Sequence, residues 1–231
     1  MKVIATSDLH GILPMIEEEF DLLLIAGDVC PVWCHERQYQ WAWLNEDFLN
    51  WAKNLPFKDE WSKVVMCPGN HDLILDEVST TKIKSWTDKS DRLIYLNNEQ
   101  YDFEYLTDNG IEKLKIFGTP YCKVFGNWAF MRENLEKYYD FIPEGLDILI
   151  SHDAADIDGL GMIKSGMYAG TNAGNTVLAD YVEKTKPKYY FCGHIHSGRH
   201  EMKEIDGVKS VNVSYVSERY QPENKPFIFE I

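Results

Sequence analysis

Asp8-x-His10, Asp28, Asn70-His71-Asp72, His152 and His194-x-His196 bring carboxylates, an amide and imidazoles to five separate places in the chain. In each case the polar residues follow directly on a short apolar run, at residues 2–5, 21–26, 64–67, 146–150 and 189–192. Of the seven histidines, only His35 and His200 lie away from these run ends. A single histidine there would read as structural, satisfied by a backbone partner. Asn70-His71-Asp72 taken alone would read as a turn followed by a helix cap. Five such ends together resist a packing explanation. Burying that many titratable groups costs several kcal/mol unless a cation compensates them. Mixed imidazole and carboxylate donors without cysteine suit Mn, Fe, Zn, Co or Ni better than Ca or Mg. Asp8, His10, Asp28, Asn70, His152, His194 and His196 exceed what one tetrahedral ion needs, so the expectation is two divalent ions sharing a carboxylate. Asp-x-His and His-x-His spacing agrees, because alternate residues of an extended segment point to one side. Two ions ~3.5–4 Å apart acidify water and clamp a phosphoryl group. That chemistry is phosphoester hydrolysis by attack of metal-activated hydroxide.

The elements that must position these groups are short buried strands. Residues 64–67 are apolar and β-branched, and Pro68-Gly69 stops them abruptly. Loops on a rigid sheet edge carry chemistry. Residues 37–55 read as the best helix, with Leu44, Phe48, Trp51, Ala52 and Leu55 on one apolar face, Trp41 extending it and Pro56 ending it. Further strands are expected at 91–96, 103–106, 113–118, 208–213 and 227–231, and Asp108-Asn109-Gly110 signals a hairpin turn. Residues 133–139 and 176–184 read as helices. Residues 158–175, rich in Gly and Ser, read as a flexible loop or lid and lack a P-loop signature. Trp33 and His35, on the loop after Asp28, are candidates for shaping a pocket. Trp33, Phe125, Trp128 and Tyr168 are candidates for stacking a base, with packing or a dimer contact as the alternatives and packing the favoured one.

With 231 residues, 45% hydrophobic, the chain supports one sizeable core, and no linker or repeat divides it. A single domain over 1–231 is expected. Its 37 acidic against 23 basic residues give a net charge of −14. Such a chain repels a long nucleic acid but not a small phosphoester, whose local field a metal dominates. The five cysteines are odd in number, and Cys30-x-x-x-Cys34 has no second pair at zinc-site spacing. The first residues enter a strand without a signal-peptide layout. No apolar run approaches the ~20 residues that cross a bilayer. A cytoplasmic protein without membrane partners is expected.

Asp8-x-His10, Gly27-Asp28, Gly69-Asn70-His71-Asp72, His152 and Gly193-His194-x-His196 resemble, in order, the five motifs of the calcineurin-like metallophosphoesterases. Segments 116–120, 125–128, 142–147 and 221–226 resemble more closely the metallophosphoesterase-domain-containing brain proteins and the small bacterial phosphodiesterases akin to them. The resemblance implies an α/β fold, a four-layer α/β/β/α sandwich of two mixed β-sheets flanked by helices. It implies that Asp8, His10 and His196 hold one metal, that Asn70, His152 and His194 hold the other, and that Asp28 bridges them. It implies that His71 contacts the phosphate and protonates the leaving oxygen, near neutral pH the natural role of an imidazole. Asp72 either orients His71 or caps the following helix, the cap being favoured.

Two departures bear on the substrate. Ser151-His152-Asp153-Ala154-Ala155 replaces the family's usual surroundings of its fourth motif. Val29-Cys30 and Leu73-Ile74 stand where the phosphoprotein phosphatases carry arginines that grip a phosphomonoester dianion. A small phosphodiester of the cyclic-nucleotide kind is therefore the expected substrate, Mn the favoured metal. A phosphomonoesterase or nucleotide pyrophosphatase is the alternative within the same chemistry. A catalytically silent protein-binding scaffold is the alternative outside it, and the complete ligand set counts against that reading.

Overall fold

The computed structural model describes residues 1–231. In chain order, β1 (Lys2–Thr6) and β2 (Leu22–Ala26) precede α1 (Arg37–Trp43), a π-helical turn (Leu44–Phe48) and α2 (Leu49–Lys53). Then come β3 (Lys63–Cys67), α3 (Leu73–Glu77), α4 (Thr80–Thr87), β4 (Leu93–Tyr95), β5 (Glu99–Thr107) and β6 (Gly110–Thr119). The chain closes with α5 (Glu136–Tyr139), β7 (Ile148–Ser151), α6 (Thr176–Thr185), β8 (Tyr189–Cys192), β9 (Lys203–Ile205), β10 (Val208–Asn212) and β11 (Phe227–Glu230).

The strands form two sheets, ordered β11-β1-β2-β3-β4 and β5-β6-β7-β8-β10-β9. In the first, β1 to β4 run parallel and β11 joins β1 antiparallel. In the second, β6, β7, β8 and β10 run parallel, while β5 and β9 flank them antiparallel. Both sheets are thus mixed. Parallel strands covered on both faces read as unbroken apolar runs, as Leu22-Leu23-Leu24-Ile25-Ala26 does, every residue of it buried.

The sheets face each other across one apolar layer. Val3, Ala5, Leu24 and Val65 from the first meet Ile116, Ile148, Ile150 and Phe191 from the second. The opposite face of the first sheet, with Ile4, Leu23 and Val64, packs under Leu44, Phe48, Leu49 and Trp86 of the helical side. The outer face of the second, with Leu149, Tyr190 and Cys192, packs under Tyr139, Leu178 and Val182. The result is the expected α/β/β/α sandwich.

Several elements differ from expectation for identifiable reasons. The helix predicted over 37–55 is broken by the π turn, which inserts an extra residue into the winding. Partners therefore fall five apart: Trp43 packs on Phe48 with ring centroids 6.0 Å apart. Leu49 is buried, while Trp41 and Trp51 are only half-buried. The β5–β6 hairpin is longer at both ends than its apolar centre predicts, since backbone pairing from Glu99↔Gly118 to Thr107↔Gly110 carries polar residues along. Helix α4 and strand β9 were not expected from the sequence, and α3 only as the helix that follows Asp72, although α4 buries Ile83 and Trp86 on one face. Loop 158–175 has internal order: Ile163 N donates to Thr171 O at 2.9 Å and Gly170 N to Ile163 O at 2.8 Å. No helix is long and apolar enough to cross a membrane.

Candidate metal centre

Three parallel neighbours of the first sheet and two of the second stop side by side, and their following residues converge. Asp8 and His10 follow β1, Asp28 follows β2, and Asn70 and His71 follow β3. His152 follows β7, and His194 and His196 follow β8. Asp8, His10, Asp28, Asn70, His152 and His196 are buried, and His71 and His194 are half-buried. Asp8, His10 and His196 present ligand atoms within 4.8 Å of one another, as do Asp8, Asp28 and His152. His10 Nε2 and His196 Nε2 lie 3.2 Å apart, with Asp8 Oδ1 3.4 Å from the latter. Asn70 Oδ1 is 2.8 Å from His152 Nε2. The ring of His194 stands 5.0 Å from that of His152.

The donor chemistry fits divalent cations. His196 Nδ1 faces Ser217 O at 2.9 Å, and His152 Nδ1 faces Ala26 O at 3.0 Å. Only an N–H at Nδ1 satisfies those carbonyls, which leaves a lone pair on each Nε2 in the neutral ring. One of these lone pairs is aimed at His10 Nε2 and the other at the Asn70 oxygen, arrangements that a cation relieves. The electrostatics agree. Burial would raise Asp8, but the His196 imidazole outweighs it and holds the carboxyl well below the usual range. Burial likewise opposes ionisation of Asp28, and His152 and His71 reverse the balance. Burial also opposes charge on His152 and His196, yet Asp28 lifts the first to about 10 and Asp8 the second to about 9. Burial, aided by neighbouring imidazoles, prevails at His10, pushed down to about 3, and at His194, down to about 4. The cluster thus recruits positive charge, and ligation by deprotonated imidazoles would release the protons that otherwise supply it.

Local backbone geometry serves the same convergence. Asp8 (φ 54°), His10 (φ 47°), Asp28 (φ 54°) and His194 (φ 68°) all adopt left-handed conformations. Each costs roughly 1–3 kcal/mol and persists only where its surroundings over-determine it. Asp8 Oδ2 accepts from Ser7 Oγ and Ser214 Oγ, both at 2.7 Å, and both Asp8 oxygens face the His194 N–H. Asp28 Oδ1 accepts from His71 N at 2.7 Å, and its Oδ2 lies 3.6 Å from His10 Nε2 and 3.4 Å from His152 Nε2. Gly193 makes room for this packing, since an added Cβ would fall 1.9 Å from Ser7 Oγ.

Asp72 takes neither expected role. It precedes α3 but makes no side-chain cap there. Its carboxylate accepts from Cys30 N and Gly69 N, each at 2.7 Å, stapling the loop after β2 to the loop after β3. Burial, followed by the Asp28 charge, raises it to about 6. Gln40, fully buried on α1, supports His71 instead: its Nε2 donates to His71 O at 2.8 Å and its Oε1 accepts from Ile74 N at 3.1 Å. Sequence reading missed Gln40, although it lies four residues before Leu44 on the apolar face. It also missed Ser214 and Asn212 at the end of β10. There Asn212 Nδ2 donates to the Leu160, Gly193 and Ile195 carbonyls.

A cavity of about 440 Å³ opens on the cluster at Asp28, Asn70, His194 and His196. His71, His35, Phe125, Trp128, Glu218 and Tyr220 complete most of its wall, and no lysine or arginine lines it. Trp33 and Tyr168 are absent from the wall.

A family model described as calcineurin-like phosphoesterase matches residues 1–198. The chain belongs to that family, which implies a dinuclear divalent metal site and supports a metal-dependent phosphoester hydrolase. Metallophosphoesterase domain-containing protein 1 of Homo sapiens is 27% identical over 247 residues, covering 100% of this chain and 71% of that protein. A UPF0046 protein of Caenorhabditis elegans is 34% identical over 134 residues, covering 55% of this chain and 32% of its own length. Among solved structures, the phosphopantetheinyl hydrolase of Mycobacterium tuberculosis superposes with a TM-score of 0.55 at 17% identity. That match covers 95% of this chain and 90% of the other, and at this identity it supports the fold alone.

Proposed function

We propose that the chain hydrolyses small phosphodiesters with the help of two divalent ions held at the converging strand ends. In this reading Asp8, His10 and His196 hold one ion, and Asn70, His152 and His194 hold the other. Asp28 reaches both, and its Oδ2 lying between His10 and His152 supports that role. Such ions supply Lewis acidity to a phosphoryl oxygen and lower the pKa of water. The mixed nitrogen and oxygen donors favour Mn, with Fe, Zn, Co and Ni as alternatives.

His71 is the general acid in this reading. Its N–H is anchored on Asp28 Oδ1 and its carbonyl on Gln40 Nε2, so both ends of the residue aim the ring at the cavity. Burial keeps that imidazole below its ordinary pKa in the free protein. The negative charge of a bound ester offsets this and allows it to carry the proton to the leaving oxygen. Ser7 and Ser214 fix one Asp8 oxygen and leave the other turned to the imidazoles.

The observation that carries the diester preference is the absence of any lysine or arginine from the cavity wall. A phosphomonoester dianion calls for a bidentate cationic clamp, whereas a diester carries one negative charge. The net charge of −14 supports a small substrate over a long nucleic acid. All five cysteines are unpaired, which supports a cytoplasmic setting.

The test compares Mn-supplemented hydrolysis of bis-p-nitrophenyl phosphate and p-nitrophenyl phosphate, with Asp28→Ala as control. Faster cleavage of the diester, lost in the variant, is expected. Preference for the monoester would replace the diester reading with a phosphatase. Bound metal without variant-sensitive turnover of either would sink the proposal.

A further inference from the structure

The cavity wall beside His71 is built of rings. The Trp128 indole lies against the His71 imidazole, centroids 4.4 Å apart and planes at 36°. His35 stands 5.2 Å from Trp128 and 5.5 Å from His71. Phe125, 59% exposed, continues the wall to His194 at 5.3 Å. His35 Nε2 is enclosed without any hydrogen-bond partner, a state that leaves a polar atom waiting for a ligand.

The wall is braced from behind. The Trp33 ring crosses Gly11 so closely that an added Cβ would fall 2.3 Å from it. Trp33 Nε1 donates to Tyr39 Oη at 3.2 Å, and Arg37 Nη1 donates to His35 O at 3.3 Å. On the other side Ala129 N donates to Asn70 O at 3.1 Å, and Phe130 N to Asp76 Oδ2 at 3.0 Å. The His35 and Trp128 rings are therefore held next to the reacting centre by braced backbone, with the exposed Phe125 ring beside them. Such a surface favours a flat π group. An enclosed imidazole nitrogen beside it favours one that carries a polar atom.

We infer that Trp128, His35 and Phe125 form the specificity site for the leaving arm of the diester, and that this arm carries a flat ring, either aryl or nucleobase. The inference rests on the diester reading above, because His71 at the leaving oxygen puts this wall on the leaving side.

Two pairs of methyl diesters separate the possibilities. The methyl ester of thymidine 5′-phosphate is compared with that of base-free 1,2-dideoxyribose 5-phosphate. Benzyl methyl phosphate is compared with cyclohexylmethyl methyl phosphate. Products are resolved by chromatography and the readout is the ratio of kcat/KM within each pair. A preference of about tenfold or more for the ring is expected, falling several-fold in His35→Ala and in the exposed-site variant Phe125→Ala. Preference in both pairs assigns the wall to flat rings in general, and preference in the thymidine pair alone assigns it to a nucleobase. Ratios near one, with the base-free ester still cleaved, overturn this inference and leave the diester reading intact. Equal losses on ringed and ring-free esters in Trp128→Leu and His35→Ala also overturn it, since the rings then act on His71 and not on substrate. No cleavage of any diester by metal-loaded protein removes both readings.

Discussion

Two regions of this molecule concentrate carboxylates, and they behave differently. Beside α6, a cavity of about 680 Å³ is lined by Asp156, Asp158, Asp180, Glu183 and Asp206. All of these are exposed. Asp158 pairs with Lys203 at 3.1 Å on the surface, an arrangement worth little. The smaller cavity at the strand ends is lined by Asp28 and Glu218, and Asp28 and its neighbour in the cluster, Asp8, are buried and surrounded by imidazoles. There the backbone is strained, hydrogen-bond donors fix one oxygen of each carboxylate, and lone pairs face one another. Carboxylate number does not make a metal site. Burial, convergence and forced orientation do.

The comparison breaks most sharply if the ligand shell is cut. Asp28→Ala removes the group facing both halves of the cluster. Loss of one partner from a buried charge set costs ~3–5 kcal/mol, and a loss of that size would lower Mn affinity by calorimetry roughly 10²–10⁴-fold. In the intact protein, Mn at about 100 times its Kd is expected to stabilise the fold by ~2.7 kcal/mol. That amounts to a rise of roughly 5–11 °C in Tm for a chain of this size, reversed by chelation and absent in Asp28→Ala. A persistent shift in the variant would place the ion elsewhere. The next effect in size is Ser214→Ala, which removes one of the donors that turn Asp8. An outer-shell loss of this kind lowers metal affinity or activity by roughly 10–100-fold. A drop in kcat/KM under twofold would show that Ser7 alone orients the carboxylate. The smallest effect belongs to the acidic cavity: Asp180→Asn is expected to leave Mn affinity within twofold and stability within about 0.5 kcal/mol. A larger change in metal binding would erase the distinction drawn between the two regions.

Much of this was legible in the chain itself. Buried parallel strands announce themselves as continuous apolar runs, and Gly27, Pro68-Gly69 and Gly193 mark where they stop. Residues that follow such stops are forced to one sheet edge, so the sequence alone groups Asp8, Asp28, His152 and His194. What escaped was set by tertiary contact. Asp72 looks like a cap because it precedes a helix, but nothing local reveals that the Cys30 and Gly69 amides surround it. Ser214 and Gln40 are ordinary polar residues until the fold brings Asp8 and His71 to them. The π turn at Leu44–Phe48 keeps a helical pattern on both sides and so hides its one-residue offset. Of the four aromatics weighed for stacking against packing, Phe125 and Trp128 line the cavity, whereas Trp33 and Tyr168 do not.

The layer between the two sheets carries a consequence for how variants of this protein will be read. The strand ends that meet at the cluster belong to opposite sheets, and the packing of residues such as Val65, Ala5, Ile150 and Phe191 helps to set their spacing, beside the His152–Ala26 and His194–Asp8 hydrogen bonds that cross between them. A one-methylene change deep in that layer is therefore expected to shift Asp28 relative to His152 without touching either. A random-mutagenesis map of activity will show a functional footprint reaching well down the inter-sheet core, larger than the reactive centre it serves. Interior positions that look like stability residues will score as catalytic ones.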